Sequence, residues 1–292
     1  MHKMHNTTAG RIFDFFNHIF LLLIAIVTVV PFIYIVAGSF ATEAELATRP
    51  FFLFPEEITT NAYRYIFSTD AVIRSLGVSI LVTVIGTIVS MILTLTMAYP
   101  LSRKTMIGRN LILNLVLFSM LFSGGMIPTF ILVRSLGLLD SIWALILPLA
   151  INPFNLIIVK TFFQELPKEL EDASKIDGCS EFQTFWRVML PLSKPVIATF
   201  TLFYAVFYWN DFFQALLYLK DTTKWPIQLL LQQLVMVANV GIGDIAEASL
   251  YEPPEESIKL AVIVIATVPI LLFYPFLQKH FAKGVMLGSV KG

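Results

Sequence analysis

Six apolar stretches, each long enough to cross a membrane, run through this chain of 292 residues. A helix rises about 1.5 Å per residue, so about 20 residues span the roughly 30 Å of hydrocarbon in a bilayer. An open sheet would leave backbone polar groups unpaired in lipid, and the sequence therefore predicts an all-α membrane protein with six transmembrane helices. The predicted spans are Phe15–Phe40, Ile73–Tyr99, Leu111–Val133, Ile142–Phe163, Val196–Leu219 and Ile258–Phe281.

The distribution of lysine and arginine predicts the orientation of these helices, because cytoplasmic flanks carry the positive excess. With both termini inside, seven of the 20 basic residues fall on the outer side and the others fall on the inner side. We therefore expect an N-in, C-in topology. The seven outer residues are Arg49, Arg64, Arg74, Arg134, Lys220, Lys224 and Lys259.

The chain is interpreted as a single transmembrane domain, residues 1–292, with three long connections. Residues 164–195 form an inner segment, and residues 41–72 and 220–257 form outer loops. Prolines and turn residues predict irregular outer loops. Acids from Asp244 to Glu256 predict a solvated surface.

Composition excludes two classes of site. The formal net charge is zero, and the sequence shows no clustered basic excess that would bind nucleic acid. Cys179 is the only cysteine, and together with four histidines it shows no metal-ligand spacing. We expect neither an intrachain disulfide, nor a metal site, nor a nucleic-acid partner.

The inner segment carries local signals for two short helices. Pro167 suits the first position of a helix, acidic residues occupy the first turn, and Gly178 suits a left-handed C-terminal cap. The first helix is predicted from about Pro167 to Asp177.

The second helix follows at once. Ser180 and Gln183 match a capping box at its start, and Pro191 interrupts the hydrogen-bond ladder, so its end is predicted near Leu190.

Each predicted helix has one apolar face, with apolar residues recurring at spacings of three and four. An amphipathic segment lying on the bilayer is one alternative, but such helices usually carry many basic residues. Six acids between Glu165 and Glu181 favour a protein partner instead. Small Ala173 and Ser174 would allow close approach of another backbone. The apolar residues are Leu170, Ala173 and Ile176 on the first helix, and Phe182, Phe185, Trp186 and Met189 on the second.

The run Asp172-Ala173-Ser174-Lys175-Ile176-Asp177-Gly178-Cys179, followed by Phe185 and by Leu190-Pro191, resembles the EAA motif of ABC importer permeases. That motif reads E-A-A-x-x-D-G-A and is followed by I-x-L-P. Asp172 stands where the family has Glu, and Cys179 stands where it usually has Ala. Three further stretches resemble permeases for complex oligosaccharides and polysaccharide fragments: Phe122–Thr129, Leu136–Ser141 and Lys283–Gly292.

This resemblance implies a type I ABC importer permease fold, multi-pass in the bacterial cytoplasmic membrane. It implies that residues 167–195 are coupling helices, seated in a cleft of a cytoplasmic ATPase and moving with it. The residues that it assigns to ATPase coupling are Leu170, Asp172, Ala173, Ser174, Ile176, Asp177, Gly178, Phe185, Leu190 and Pro191.

The partners implied by the resemblance are a homologous second permease, two copies of the ATPase, an extracytoplasmic solute-binding protein and an oligosaccharide substrate, in a surrounding of membrane lipid. This sequence contains no G-x-x-x-x-G-K-[ST] phosphate-binding loop. We therefore expect ATP and Mg on the partner ATPases, and no cofactor or catalytic residue in this chain.

The fifth predicted span places a carboxylate and an amide within an apolar helix, in Tyr208-Trp209-Asn210-Asp211. Such residues usually face a bundle interior or a water-filled path. Carboxylates, amides and aromatic rings also bind sugar hydroxyls and sugar faces, and the W-N-[DE] pattern recurs in similar sugar permeases. Alternatively, Asn210 and Asp211 only fix helix packing. Gly124, Gly125 and Asn152 are further candidates for the substrate path.

The leading interpretation is ATP-driven oligosaccharide import by alternating access. One alternative is a proton-coupled secondary sugar transporter, with Asp211 as the proton site. Another is a membrane-embedded enzyme, although no nucleophile, base and orienting group are recognisable at a shared depth.

Overall fold

The computed structural model describes the backbone of residues 8–68, 70–239 and 256–288. Side chains are described for residues 10–236, apart from 11 and 69, and for residues 256–272. Within these ranges the chain is helical and contains no strand. The helices are α1 (Thr8–Ser39), α2 (Glu43–Thr48), α3 (Asn61–Ser68), α4 (Asp70–Ser102), α5 (Arg109–Leu121), α6 (Met126–Ser135), α7 (Ile142–Ile146), α8 (Pro153–Glu165), α9 (Lys168–Ile176), α10 (Glu181–Thr184), α11 (Leu190–Leu192), α12 (Lys194–Asn210), α13 (Phe213–Tyr218), α14 (Ile227–Asn239) and α15 (Glu256–Gly288).

The helices fall into two compact units. Unit 1 comprises residues 1–70 and 233–267, and unit 2 comprises residues 71–232 and 268–292. The single-domain boundary, residues 1–292, stays a prediction.

In unit 1, polar side chains at helix ends hold the outer segment to α15. The carboxylate of Glu43 accepts hydrogen bonds from the backbone amides of Glu256 and Ser257, the latter at 2.7 Å. These are free amides at the first turn of α15, where an anion is favourable. Gly38, near the end of α1, faces Leu260 so closely that a Cβ there would lie 2.5 Å from Leu260 Cδ1.

In unit 2, the core is a continuous cluster of apolar side chains contributed by α4, α7, α8, α12 and the inner segment. Its fully buried members include Leu145, Leu156, Val159 and Met189. The core therefore joins the spanning helices to the segment between α8 and α12.

In the part of the chain that the structure describes, two helices, Ile12–Ser39 and Asp70–Ser102, are each long and apolar enough to cross a membrane. The number rises to five if each of three bent helix pairs is one span. Helix α15 covers the sixth predicted stretch, Ile258–Phe281, whose side chains beyond Leu272 lie outside the described residues. The count of six spans and the N-in, C-in orientation stay predictions.

The third and fourth predicted stretches each contain a break, which the bounds of the spans alone do not indicate. The chain bends by 117° between α5 and α6. It bends by 52° between Ile142–Leu149, which contains α7 and the short helical turn after it, and α8. Gly125 at the first break has φ +88°, a conformation that costs a glycine little. At the second break the Asn152 side chain caps α8 ahead of Pro153, whose ring cannot continue a helix ladder.

The fifth predicted span, Val196–Leu219, is also interrupted. Helix α12 ends at Asn210, Asp211 has extended backbone angles, and the chain resumes as α13 at Phe213. The carboxylate of Asp211 accepts the amide of Gln214 at 3.2 Å, so it satisfies an orphan donor of the next helix.

The outer segments are more regular than expected. Residues 41–72 contain α2 and α3, and α14 begins within residues 220–257. The amide of Ile227, at the start of α14, donates to the Ser79 hydroxyl of α4 at 2.8 Å. The acid-rich stretch Asp244–Glu256 lies outside the described residues, except for Glu256.

Two tyrosines, one turn apart on α12, hold the centre of unit 2. The Tyr208 hydroxyl bonds Ser90 of α4 at 2.8 Å, and the Tyr204 hydroxyl bonds Thr94 of α4 at 2.7 Å. The same hydroxyls reach the backbone of Ile146 and Asn152, each at 3.3 Å. Because both α12 and α4 contribute pairs spaced by four residues, the tyrosines fix the register of these helices.

A polar clamp joins the turn after α6 to the segment after α13. Asp140, at φ +59°, accepts the amides of Lys220 at 3.1 Å and Asp221 at 3.0 Å. The Lys224 ammonium lies 3.2 Å from the same carboxylate. The amide of Asp221, then that of Lys220 and the Lys224 ammonium, lower the pKa of Asp140, although partial desolvation opposes them.

Gly86→Ala should destabilise unit 2, because an added Cβ would lie 2.8 Å from the Tyr208 ring. Overpacking of this kind costs about 1–3 kcal/mol. Gly77→Ala on the same helix is the control, because a Cβ there meets nothing within 4 Å. Thermal unfolding in detergent measures both variants. Equal midpoints would contradict the close α4–α12 packing.

Asp140→Asn should lower the thermal midpoint at neutral pH, because the variant lacks the negative charge of the clamp. Asparagine tolerates a positive φ, so the change adds no backbone strain. The lowered pKa means that the ionised clamp stabilises the fold above the ordinary carboxyl value of 3.8. That contribution is lost as the pH falls through the lowered pKa that Asp140 has in the folded state. Midpoints measured across this range should converge for the two proteins in acid. A constant difference at every pH would contradict the assignment.

Candidate functional site: the coupling segment and the path

The first helix of the inner segment forms as predicted. Helix α9 spans Lys168–Ile176, with Pro167 one position before it, at the N-cap. Gly178 has φ +81°. The amide of Cys179 donates to Ser174 O at 2.9 Å and that of Gly178 to Lys175 O at 3.0 Å, the two bonds of a Schellman cap.

The second helix begins as predicted but ends differently. The Ser180 hydroxyl accepts the Gln183 amide, and the Gln183 side chain accepts the Ser180 amide, which completes the capping box. Its regular ladder then changes at Phe185–Met189, which forms a π-turn, and helical structure continues through Pro191 to Leu192. The predicted end near Leu190 is therefore wrong, because the wider π-turn accommodates the missing proline amide.

The apolar face predicted for the second helix divides into two groups. Phe185 and Met189 are buried in the core of unit 2. Phe182 is 71% exposed and Trp186 is 53% exposed. Three of these four residues lie within the π-turn itself, so one short segment carries both an anchor and an exposed surface.

The anchor is aromatic. The Phe185 ring lies 4.9 Å from the Tyr99 ring of α4, and the Tyr99 ring lies 5.8 Å from the Phe163 ring of α8, in an edge-to-face arrangement. Aromatic pairs of this kind add about 0.5–1.5 kcal/mol beyond the area that they bury.

Both helices carry exposed apolar side chains. Ile176, at the end of α9, is 87% exposed, and Leu170 one and a half turns earlier is partly exposed. We call Leu170, Ile176, Phe182 and Trp186 the coupling surface. Asp172, Ala173 and Asp177 are also exposed, as is Pro191, whereas Leu190 packs against the core.

Ser174 does not belong to this surface, and the helix that its small side chain allows to approach is α10 of the same segment. Ser174 is buried, and its hydroxyl bonds the Thr184 hydroxyl of α10 at 2.8 Å. A small residue is required there because α9 and α10 themselves approach closely. Ser174 therefore joins the two helices into one body.

An ion pair reinforces this body at its edge. The Lys175 ammonium of α9 lies 2.9 Å from the Glu181 carboxylate of α10. The hydrogen bond from Lys175, helped by the charge of Arg103, lowers the pKa of Glu181, and partial desolvation opposes the effect. The carboxylate is therefore ionised at neutral pH.

The predicted path residues do not meet at one point. Tyr208 and Trp209 are buried within unit 2, and Tyr208 is engaged in the helix packing described above. Asn210 is exposed, and its amide donates to the Val206 carbonyl one turn earlier. Asn152 is exposed and caps α8. The expectation that Asp211 lies inside a continuous helix is wrong, because it lies at a break.

Gly124 and Gly125 do line a cavity. It has a volume of about 240 Å³ and lies between the α5–α6 break, the turn after α7, and α13. Phe213 and Gln214, which follow the break at Asp211, also line the cavity. Ser123, Thr129 and Gln214 supply hydroxyl and amide groups. The cavity therefore joins the glycine pair to the two residues that follow Asp211 closely in the chain, and Asp211 itself does not line it.

A group of at least three metal-ligating side chains is absent from the described part of the chain.

Comparison with known proteins identifies relatives along nearly the whole chain. Residues 90–287 match the family described as binding-protein-dependent transport system inner membrane component. Protein LplC of Bacillus subtilis (strain 168) is 63% identical over 294 residues, covering 100% of this chain and 99% of that protein. The polygalacturonan/rhamnogalacturonan transport system permease protein YtcP of the same organism is 59% identical, covering 97% and 99%.

A solved structure is also similar. The crystal structure of a bacterial ABC transporter involved in the import of the acidic polysaccharide alginate contains a chain that is 32% identical. The TM-score is 0.86, and the match covers 94% of this chain and 98% of that chain. The chain therefore belongs to the binding-protein-dependent transport system inner membrane component family, has a type I ABC permease fold, and is a permease component of a carbohydrate ABC importer, not an enzyme.

Proposed function

We propose that this permease imports an oligosaccharide by alternating access, driven by ATP hydrolysis on separate ATPase subunits that dock on the coupling surface. The observation that carries the proposal is the division of the inner segment into a buried anchor and an exposed apolar surface. A partner that grips such a surface moves the anchor, and with it the spanning helices.

The coupling surface has the chemistry of a protein interface. Aromatic and aliphatic side chains at the centre of an interface contribute most of its binding energy, and charged residues tend to form the rim. Ile176, Phe182 and Trp186 supply the centre. Asp172 and Asp177 are exposed nearby and supply negative charge for a basic partner.

The inner segment also has the rigidity of a lever. The Schellman cap at Gly178 and the capping box at Ser180 leave few free backbone groups between α9 and α10. The Ser174–Thr184 bond holds the two helices together. Force applied to the coupling surface is therefore transmitted to Phe185 and Met189 with little internal deformation.

The complex that we propose contains a homologous second permease, two ATPase copies, which bind ATP and Mg, and an extracytoplasmic solute-binding protein. The chain would lie, multi-pass and with both termini inside, in the bacterial cytoplasmic membrane. Nothing in the comparisons supports the proton-coupled alternative. Asp211, its required proton site, is occupied in capping α13.

The cavity at Gly124 and Gly125 is the part of the path that we assign to this subunit. Its hydroxyl and amide groups can exchange hydrogen bonds with sugar hydroxyls, and the glycines allow close approach of a sugar to the backbone. Its lining includes no charged side chain.

We propose an oligosaccharide that contains uronate residues as the substrate class. This follows from the relatives, since YtcP is named for polygalacturonan and rhamnogalacturonan and the similar structure for alginate. The carboxylates would then be recognised by the binding protein or the second permease.

Gly178→Val should lower transport per ATP hydrolysed, because a β-branched residue disfavours φ +81° and loosens the cap. The strain amounts to about 1–2 kcal/mol. Gly137→Val is the matched control, with φ +68° in the turn after α6 and equally open space around it. Proteoliposomes containing the whole complex, supplied with ATP, measure uptake and hydrolysis together.

Uptake driven by a proton gradient without ATP would overturn the proposed function. Equal transport per ATP for the two glycine variants would overturn the lever.

The substrate class is tested by calorimetric titration of the cognate binding protein with a panel of oligosaccharides. We expect galacturonate oligomers to bind at least about tenfold more tightly than neutral oligomers of equal length, a difference of about 1.4 kcal/mol. Tighter binding of the neutral oligomers would contradict the assignment.

A further inference from the structure

We propose that Arg103 is a positioning residue that ties the end of α4 to both coupling helices, so that movement of the coupling surface reaches α4 directly. The inference rests on the proposed function and adds a charged link to two connections that the segment already has. These are the covalent connection through α8 and α12 and the apolar one through the buried Phe185 and Met189.

Arg103 lies immediately beyond the end of α4 at Ser102. Its guanidinium carbon lies 4.6 Å from the centre of the Tyr99 ring, one turn earlier. A guanidinium nitrogen also donates a hydrogen bond to the Tyr99 hydroxyl. A guanidinium over an aromatic face gains from both stacking and electrostatics. Arg103 is therefore fixed to α4 by contacts that are independent of the coupling helices.

The same guanidinium reaches both coupling helices. One nitrogen pairs with the Glu171 carboxylate of α9, and the other lies 3.6 Å from the Glu181 carboxylate of α10. The Tyr99 hydroxyl also donates to Glu181, at 3.5 Å. One cation therefore bridges α4, α9 and α10.

Burial distinguishes this contact from an ordinary surface ion pair. The Arg103 side chain is 19% exposed and that of Glu171 is 14% exposed. Exposed pairs are screened by water and contribute little, whereas a largely buried pair cannot be opened without leaving two desolvated charges. The Arg103–Glu171 pair therefore resists separation when the segment moves.

Neighbouring contacts point the same way. The Gln164 side chain, at the end of α8, donates to the Ser102 carbonyl at 3.2 Å. The Tyr99 ring packs on Phe185, the anchor of the second coupling helix. The apolar contact between Tyr99 and Phe185 already joins α4 to the second coupling helix. Arg103 adds a charged link between α4 and α9.

Lysine cannot reproduce this arrangement. The planar guanidinium presents separate nitrogens to two carboxylates while it stacks on a ring, whereas an ammonium is a single point of charge. Arg103→Lys should therefore retain part of the contribution that Arg103 makes to transport per ATP, and Arg103→Gln should abolish that contribution.

The experiment uses the complex purified through a tagged copy of this chain and reconstituted in proteoliposomes. Uptake and ATP hydrolysis are measured for wild type, Arg103→Gln, Arg103→Lys, Glu171→Gln and the Arg103→Gln/Glu171→Gln double variant. Lys104→Gln is the matched control, because Lys104 is adjacent and exposed.

Arg103→Gln should lower transport per ATP about 2- to 30-fold, the range that coupling residues typically span. Hydrolysis and complex yield should stay near the wild-type values, and Arg103→Lys should be intermediate. Glu171→Gln should resemble Arg103→Gln, and the double variant should lose no more than the larger single loss. If Arg103→Gln fails to assemble, Glu171→Gln supplies the test, since Arg103 then keeps Glu181.

Unchanged transport per ATP in the Arg103 and Glu171 variants would overturn the inference and leave the proposed function intact. A proportional fall of uptake, hydrolysis and yield would also overturn it, because that pattern indicates a structural role alone. Absence of ATP-dependent uptake in wild type would overturn the proposed function itself.

Discussion

The burial of Phe185 and Met189 in the core of unit 2 is the interaction on which the proposed role of the inner segment depends. Without it, α9 and α10 would be attached to the spanning helices only through the two ends of the segment and the polar contacts of Tyr99 and Arg103. With it, the segment is an extension of the core, and α4, α8 and α12 share its position. In the mechanism that we propose, the exposed Ile176, Phe182 and Trp186 then transmit force as well as bind the ATPase.

A second constraint explains the broken helices. Backbone polar groups in a membrane need partners, so a helix can be interrupted only where a local group satisfies the freed amides and carbonyls. Asn152 and Asp211 each cap the helix that follows, and Gly125 supplies a backbone conformation that other residues avoid. These residues look like substrate groups in the sequence, and at two of the breaks their observed contacts are those of helix caps. The cavity beside Gly124 and Gly125 exists because the break opens space between helices.

The sequence predicted local structure well where the signal was local. The cap at Gly178 and the capping box at Ser180 depend on neighbouring residues, and both are present. The breaks within the third, fourth and fifth predicted spans do not follow from the bounds of those spans, because apolar composition does not report a bend. The roles of Ser174 and Arg103 were missed because their partners, Thr184 and Glu171, are set by tertiary packing. The available signal was an arginine one turn after an aromatic residue, Arg103 after Tyr99, but the sequence alone gave no acid to pair with it.

The central claim is that the coupling surface contacts the ATPase while the anchor does not, and site-specific photocrosslinking in the assembled complex tests it most directly. A photoreactive phenylalanine analogue is placed at Phe182, which is exposed, or at Phe185, which is buried three residues later. The account predicts an adduct with the ATPase subunit from position 182, and adducts only within this chain from position 185. An ATPase adduct from position 185, or lipid adducts alone from position 182, would contradict it.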